Sequence, residues 1–186
     1  LQDSTQSVGA WLEAHQLSGK SRLLETMQVD DGWQLAVETV LGDYLQAVCV
    51  DEIGSLGNYL ESFEQGNLLL VEPAAGDTPA PGYLASMVQS GGHADGLLAG
   101  IRAADDLPQA LQQRASLASH ESVITRDGIW MGRNWVRVAR VSDSDGGVIQ
   151  RQEELEELAA KLEVQQAREL ALAEQLQESE EALKTL

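Results

Sequence analysis

Hydrophobic and polar positions change their rhythm three times along this chain. The last fifth repeats apolar residues at heptad spacing. With position a at Val148, Leu155, Leu162, Glu169, Leu176 and Leu183, position d falls on Arg151, Leu158, Gln165, Leu172, Ser179 and Leu186. Eight of these twelve positions are apolar. A stripe this narrow on a charged helix is the signature of a coiled-coil seam rather than the wider face of a globular helix. Residues 151–186 hold no Gly or Pro and are rich in Leu, Glu, Gln and Ala, all strong helix formers. A helix from about Gln152 to Leu186 is predicted, roughly 50 Å long at 1.5 Å per residue. The Leu seam requires a partner, because an isolated helix of this kind is marginal in water. At the other end, Leu1, Val8, Leu12 and Trp11 predict a short helix reaching about His15 and ending near Gly19. It is too short to cover the tail, so the chain reads as an excerpt from the middle of a longer protein.

Between these helices, strand-length apolar runs alternate with helical periodicity. Trp33, Ala36, Val37, Val40, Leu41 and Tyr44 recur at helical spacing behind Asp30 and Asp31 and predict an amphipathic helix stopped near Gly42. Ala47 to Val50 reads as a buried strand, Ile53 to Gln65 as a second helix, and Leu68 to Val71 as a second buried strand. Residues 73–82 carry three of the four prolines and predict a loop between two parts of the body. The second part repeats the alternation: helix into strand over Gly96 to Ile101, helix over Leu107 to Leu117, strand over Ser122 to Thr125, and one or two strands over Trp130 to Val141. The expected class is α/β (α+β), a two-subdomain body flanked by coiled-coil helices. Its boundaries are 1–19, 20–147 (subdomains about 20–72 and 83–147) and 148–186.

Composition narrows what such a body does. Twelve Lys+Arg against thirty Asp+Glu give a formal charge of −18, of which residues 151–186, with ten Glu and four basic residues, hold −6. A broad basic face for nucleic acid is excluded, since that affinity rests on Lys and Arg displacing counterions. One cysteine, Cys49, excludes an internal disulfide and a four-thiolate zinc site. It lies in a predicted strand as a small hydrophobe with no base beside it. His15, His93 and His120 show no metal spacing, and Ser122 and Ser144 have no nucleophile-elbow context. The run Ser90 to Gly96 lacks the Lys-Ser/Thr of a phosphate loop, so a turn at Gly91 and Gly92 is expected instead. No apolar run reaches the roughly 18 residues of a membrane helix. No cofactor, metal, membrane or small-molecule substrate is expected, and no catalysis.

Three stretches together are similar to one family. Residues 29–51 (VDDGWQLAVETVLGDYLQAVCVD) match a helix of the type AVExxLG followed by xLQ and a hydrophobic strand. Ser122 to Gly128 (SVITRDG) matches a strand and turn of the type VTLDG. Gly147 to Leu158 (GVIQRQEELEEL) matches a return into coiled coil of the type LLxRxxEIxxL. This combination resembles the hinge domain of bacterial SMC (structural maintenance of chromosomes) proteins, over about residues 20–186. The resemblance implies a homodimerisation hinge in a cytoplasmic, nucleoid-associated protein of chromosome condensation and segregation, whose ATP-binding heads lie outside this chain. It places the pairing surface at Gly128, Trp130, Gly132 and Trp135, with Gly91 and Gly92 as further candidates. Many such hinges carry paired glycines after the DG turn, where this chain has Gly132 alone beside Trp130 and Trp135. Candidate DNA contacts are Lys20, Arg22, Arg137, Arg140 and Arg151, against an acidic junction over Val141 to Gly147. The competing reading is a ligand-sensing α/β domain near the Gly91 loop, coupled to a signalling coiled coil.

Overall fold

The computed structural model describes residues 2–74, 79–140 and 147–184, with side chains over 8–74, 79–140 and 147–175. The chain divides into two compact units, Leu1–Ile149 and Gln150–Leu186.

In the first unit the order is α1 (Gln2–Ala14), α2 (Leu23–Thr26), β1 (Gln28–Val29), α3 (Gln34–Leu41), β2 (Val48–Cys49), α4 (Gly57–Leu60), β3 (Leu70–Val71), β4 (Val88–Gln89), α5 (Asp95–Leu98), β5 (Ile101–Ala104), α6 (Leu107–Arg114), β6 (Ser122–Thr125), β7 (Ile129–Met131) and β8 (Val136–Val138). The strands form three sheets: β2 parallel to β3, β1 antiparallel to β4, and a four-stranded sheet in the order β5-β6-β7-β8. In the last of these β5 and β6 run parallel across the α6 crossover, while β7 and β8 return as antiparallel hairpins. Parallel neighbours need a crossover, which the alternation of the sequence supplies.

The period of two in each central strand sorts side chains between cores. On either side of β2, Ala47 and Cys49 join the largest apolar cluster, while Val48 and Val50 join a smaller one with Trp11, Leu12 and Leu17. In β6, Ile124 faces the large core and Val123 faces the α6 side with Ala104, Ala110, Leu117, Ile129 and Met131. Both strands are thus buried on two faces, which is why their sequences read as unbroken apolar runs. The central core draws on both halves, including Leu23, Trp33, Val37, Leu84, Leu98, Ile124 and Ile149. Cys49 is buried, and its desolvation pushes the thiol above its usual value, with the Thr26 hydroxyl 3.8 Å away.

One expectation is corrected. The stretch Ile53 to Gln65 is not one helix: a short 3-10 turn over Gly54–Leu56 leads into the single turn α4. Gly54 and Gly57 interrupt the stretch, and only Ile53, Leu56 and Phe63 are half-buried against the core while most of their neighbours are exposed, so little burial supports a longer helix. The helix predicted to stop near Gly42 does so: α3 ends at Leu41, Gly42 takes φ +50°, and a 3-10 turn follows to Gln46. The short pair β1 and β4 had no alternating signal to announce it. Of the predicted loop over 73–82, residues 75–78 lie outside the described residues, as do Val141 to Gly146 of the acidic junction.

The helix α7 runs from Val148 to Lys184; its first two residues belong to the first unit, and from Gln150 on it forms the second. Its seam residues Leu155, Leu158, Leu162 and Leu172 are all more than half exposed, as are Val164 and Leu170 beside them. The side chains of Leu176 and Leu183 lie outside the described residues. A Lys161–Glu157 ion pair and amide–carboxylate contacts from Gln150 to Glu154 and Gln152 to Glu156 line its polar surface at i, i+4 spacing.

Candidate functional site

The four-stranded sheet is finished on one face and unfinished on the other at its last strand. On the α6 side, Ile129 and Met131 of β7 are buried, but β8 pairs with Ile129 through Val138 and with Met131 through Val136, and both valines are exposed, at 55% and 62%. The helix α6 turns its small residue, Ala110, fully into the sheet, leaving Leu107 and Leu111 exposed beside β8. The result is an apolar groove of about 530 Å³ lined chiefly by Leu107, Leu111, Trp135, Val136 and Val138, with Ile129 and Met131 as its floor. No further strand lies beside β8 among the described residues. A free edge next to exposed large apolar side chains is the kind of surface at which chains associate.

The wall of the groove is rigid. Gly132 donates its N–H to the Trp135 carbonyl at 3.1 Å, closing the β7–β8 turn. Arg114 of α6 holds that turn with Nε on the Gly132 carbonyl at 3.1 Å and Nη2 on the Arg133 carbonyl at 2.7 Å. The Trp135 ring lies over Gly132, where any Cβ would strike the indole, and meets Trp130 edge-on with centroids 5.2 Å apart. Trp130 in turn donates Nε1–H to the Ser122 hydroxyl at 3.0 Å. Trp135 is 43% exposed, an ordered aromatic held at the rim of an apolar groove. That is the profile of a binding anchor.

Of the candidate interface residues, Trp130, Gly132 and Trp135 therefore share one hairpin. Gly128 sits at its other end, buried and at φ +82°, where a Cβ would lie 2.6 Å from the Ala139 carbonyl and 3.3 Å from the Leu35 side chain. Gly91 and Gly92 belong to a separate turn, at φ +60° and +90°, with the Gly92 carbonyl accepting from Ala74 N–H. Sequence reasoning passed over Leu107, Leu111, Val136 and Val138. The alternation Val136-Arg137-Val138 and the i, i+4 leucines were the available signals.

The candidate DNA-contacting cations are each engaged within the chain. Lys20 pairs with Asp51 at 2.9 Å, Arg22 donates to the Gln46 carbonyl, Arg137 to the Thr39 carbonyl, and Arg140 to the Asp127 carbonyl and carboxylate. Asp51 and Asp127 are held below the usual carboxylate range, Asp51 by Lys20 and Asp127 first by the Thr125 hydroxyl. Arg151 belongs to α7 in the second unit and is exposed. His15 stacks between Trp11 and Tyr59, and His93 lies against the Ser90 carbonyl. Among the described residues no group of His, Cys, Asp or Glu could hold a metal ion, and no helix is long and apolar enough to cross a membrane.

The described residues form an α/β body that begins in the helix α1, leads into the long helix α7 and exposes apolar side chains beside β8, the build of a small association domain rather than of an enclosed active site. The family model for the SMC proteins Flexible Hinge Domain matches residues 18–114, just over half of the chain. The chain belongs to that family. It is 38% identical over 171 residues to the Chromosome partition protein Smc of Coxiella burnetii, covering 89% of this chain and 14% of that protein. It is 36% identical over 179 residues to the protein of the same description from Methylococcus capsulatus, covering 94% and 15%. The chain thus spans about one seventh of these relatives. Among solved structures, an asymmetric dimer of the Geobacillus stearothermophilus SMC hinge domain matches with TM-score 0.56 and 22% identity over 87% of this chain and 76% of that one. A folded elbow of cohesin matches with TM-score 0.61 and 16% identity over 89% and 26%. These likenesses agree with the mixed helix and strand fold expected of a hinge, and they give the ligand-sensor reading no support.

Proposed function

We propose that this chain is the homodimerisation hinge of a chromosome-partitioning SMC protein, joining two coiled-coil arms, and that a second copy covers the β8 edge and its groove. The observation that carries the proposal is the groove itself, where Leu107, Leu111, Trp135, Val136 and Val138 are exposed together beside the edge of β8 that is unpaired among the described residues. The dimer described for the Geobacillus stearothermophilus hinge supports the same reading. The function is mechanical and the hinge carries out no chemistry of its own; ATP binding belongs to other parts of the longer protein. The division into subdomains 20–72 and 83–147, with helical arms before and after, is part of the proposal, as is a place in the cytoplasm on the nucleoid. Contact with DNA falls to Lys20, Arg22, Arg137, Arg140 and Arg151. Each of these would exchange an internal partner for a phosphate, and a chain of formal charge −18 makes this a minor role.

The test is the solution mass of the chain by light scattering across a concentration series. Val136→Lys with Val138→Lys is expected to give a folded monomer. Leu158→Lys with Leu162→Lys on α7 is expected to leave the dimer intact. The reverse pattern would assign pairing to the Leu seam and remove the hinge reading of β8.

A further inference from the structure

The helix α3 receives both the pairing strand and the root of the C-terminal helix on one face. Leu35, Glu38 and Thr39 stand at i, i+3 and i+4, which places them side by side. Leu35 packs against Gly128 at the start of the β7–β8 hairpin. The Thr39 carbonyl accepts from Arg137 Nη1 of β8 at 3.1 Å, across 98 positions of sequence. The Glu38 carboxylate accepts the Ile149 N–H at 2.5 Å, across 111 positions. That N–H belongs to the first turn of α7, where backbone donors have no partner within the helix. Glu38 therefore acts as a cap supplied from a distant element, and its negative charge suits the positive end of the helix. Gly147 makes room for it: a Cβ at that position would sit 2.7 Å from both carboxylate oxygens.

The alternation of β8 gives this arrangement its meaning. Val136 and Val138 point into the groove, while Arg137, paired with Trp130, points to the opposite face and onto α3. A chain that seats on the valines fixes the backbone from which Arg137 reaches Thr39. From the same face of α3, Glu38 holds the start of α7.

We propose that α3 couples the two: pairing at β8 strengthens the Glu38 cap on Ile149, and loss of the cap weakens pairing by the same factor. The inference rests on the dimerisation reading above. Reciprocity follows because a coupling free energy belongs to the pair of sites and not to either one.

The experiment measures hydrogen exchange of the Ile149 amide by NMR in the full chain, at concentrations below and above pairing, with the mass of each sample recorded. In the wild type, exchange is expected to slow by about fivefold or more on pairing. Glu38→Ala should make Ile149 exchange rapidly in both states and weaken pairing by a similar factor. Glu38→Gln keeps a carbonyl acceptor and should restore most of the response. Arg137→Met should leave the monomer's Ile149 as protected as in the wild type yet abolish its response to pairing. A dimer in which Ile149 exchanges as in the monomer, or an Arg137→Met dimer that still responds, overturns the coupling and leaves the hinge reading standing. A wild-type chain that stays monomeric throughout overturns both.

Discussion

The two parallel strand pairs of the body are built alike and end differently. Around β2, both faces are closed by the chain's own material: Val48 and Val50 lie under α1 at 1% and 3% exposure, and Trp11 of that helix is fixed by the Ser62 hydroxyl and the edge of Phe63. Around β5 and β6, α6 closes one face as far as β7 and then stops, leaving Val136 and Val138 of β8 bare. The same local grammar of strand, crossover and strand thus produces one completed layer and one open layer. Apolar exposure at a sheet edge invites aggregation unless a specific partner takes it. The difference therefore separates the part of the body that holds itself together from the part to which the proposal assigns pairing.

The sharpest break of this contrast lies in the buried strand of the open half. Ile124→Ala removes a fully buried side chain from the core that both halves share, and should cost about 2–5 kcal/mol in urea unfolding, whereas Val138→Ala should change monomer stability by less than about 0.5 kcal/mol. Gly128→Ala sets a Cβ against the Ala139 carbonyl and the Leu35 side chain at a positive φ. It should cost about 1–3 kcal/mol and loosen the hairpin from α3. Trp135→Ala should leave the melting temperature nearly unchanged while weakening pairing by about tenfold, ~1.4 kcal/mol; a large loss of monomer stability would make this residue part of the closed layer instead.

The smallest effect expected is a dependence on pH. Glu121 accepts from the Ala118 N–H, from Arg102 and from the Tyr83 hydroxyl, which brings its carboxyl from 4.5 down to about 2. A carboxylate with a depressed folded value stabilises the fold above its unfolded value. That contribution is present above about pH 5 and fades as the pH falls toward 2. Glu121→Gln should flatten this part of the acid limb in a pH series of thermal unfolding, and an unchanged limb would show that the Arg102 contact is only a surface pair.

Much of this architecture is legible in the sequence because buried strands and amphipathic helices announce themselves. The strand Ser122–Thr125 stands where its β-branched run predicts it, α3 and α6 fall within the expected segments, and α5 and α7 begin ahead of theirs, at Asp95 and Val148. The stretch after Ile53 misleads because Ile53, Leu56 and Phe63 pack on the core at helical spacing while Gly54 and Gly57 between them disfavour a continuous helix. The groove was hidden for the opposite reason. A helix with Leu107, Ala110 and Leu111 is expected to bury its leucines, yet it buries the alanine, since the close approach of α6 to β6 leaves room for only a small side chain. The role of Glu38 could not be read at all, because a cap that comes from 111 residues away has no local pattern.

The placement of Cys49 makes the protein convenient to interrogate. Its thiol is buried beside Thr26 and shifted toward the protonated form, so at neutral pH it offers little of the thiolate that alkylating and disulfide-forming reagents require. A cysteine introduced at Val136 or Val138 would then be the reactive thiol of the molecule. Bismaleimide cross-links formed from such a variant would report which residues of two copies meet, with the native cysteine left in place.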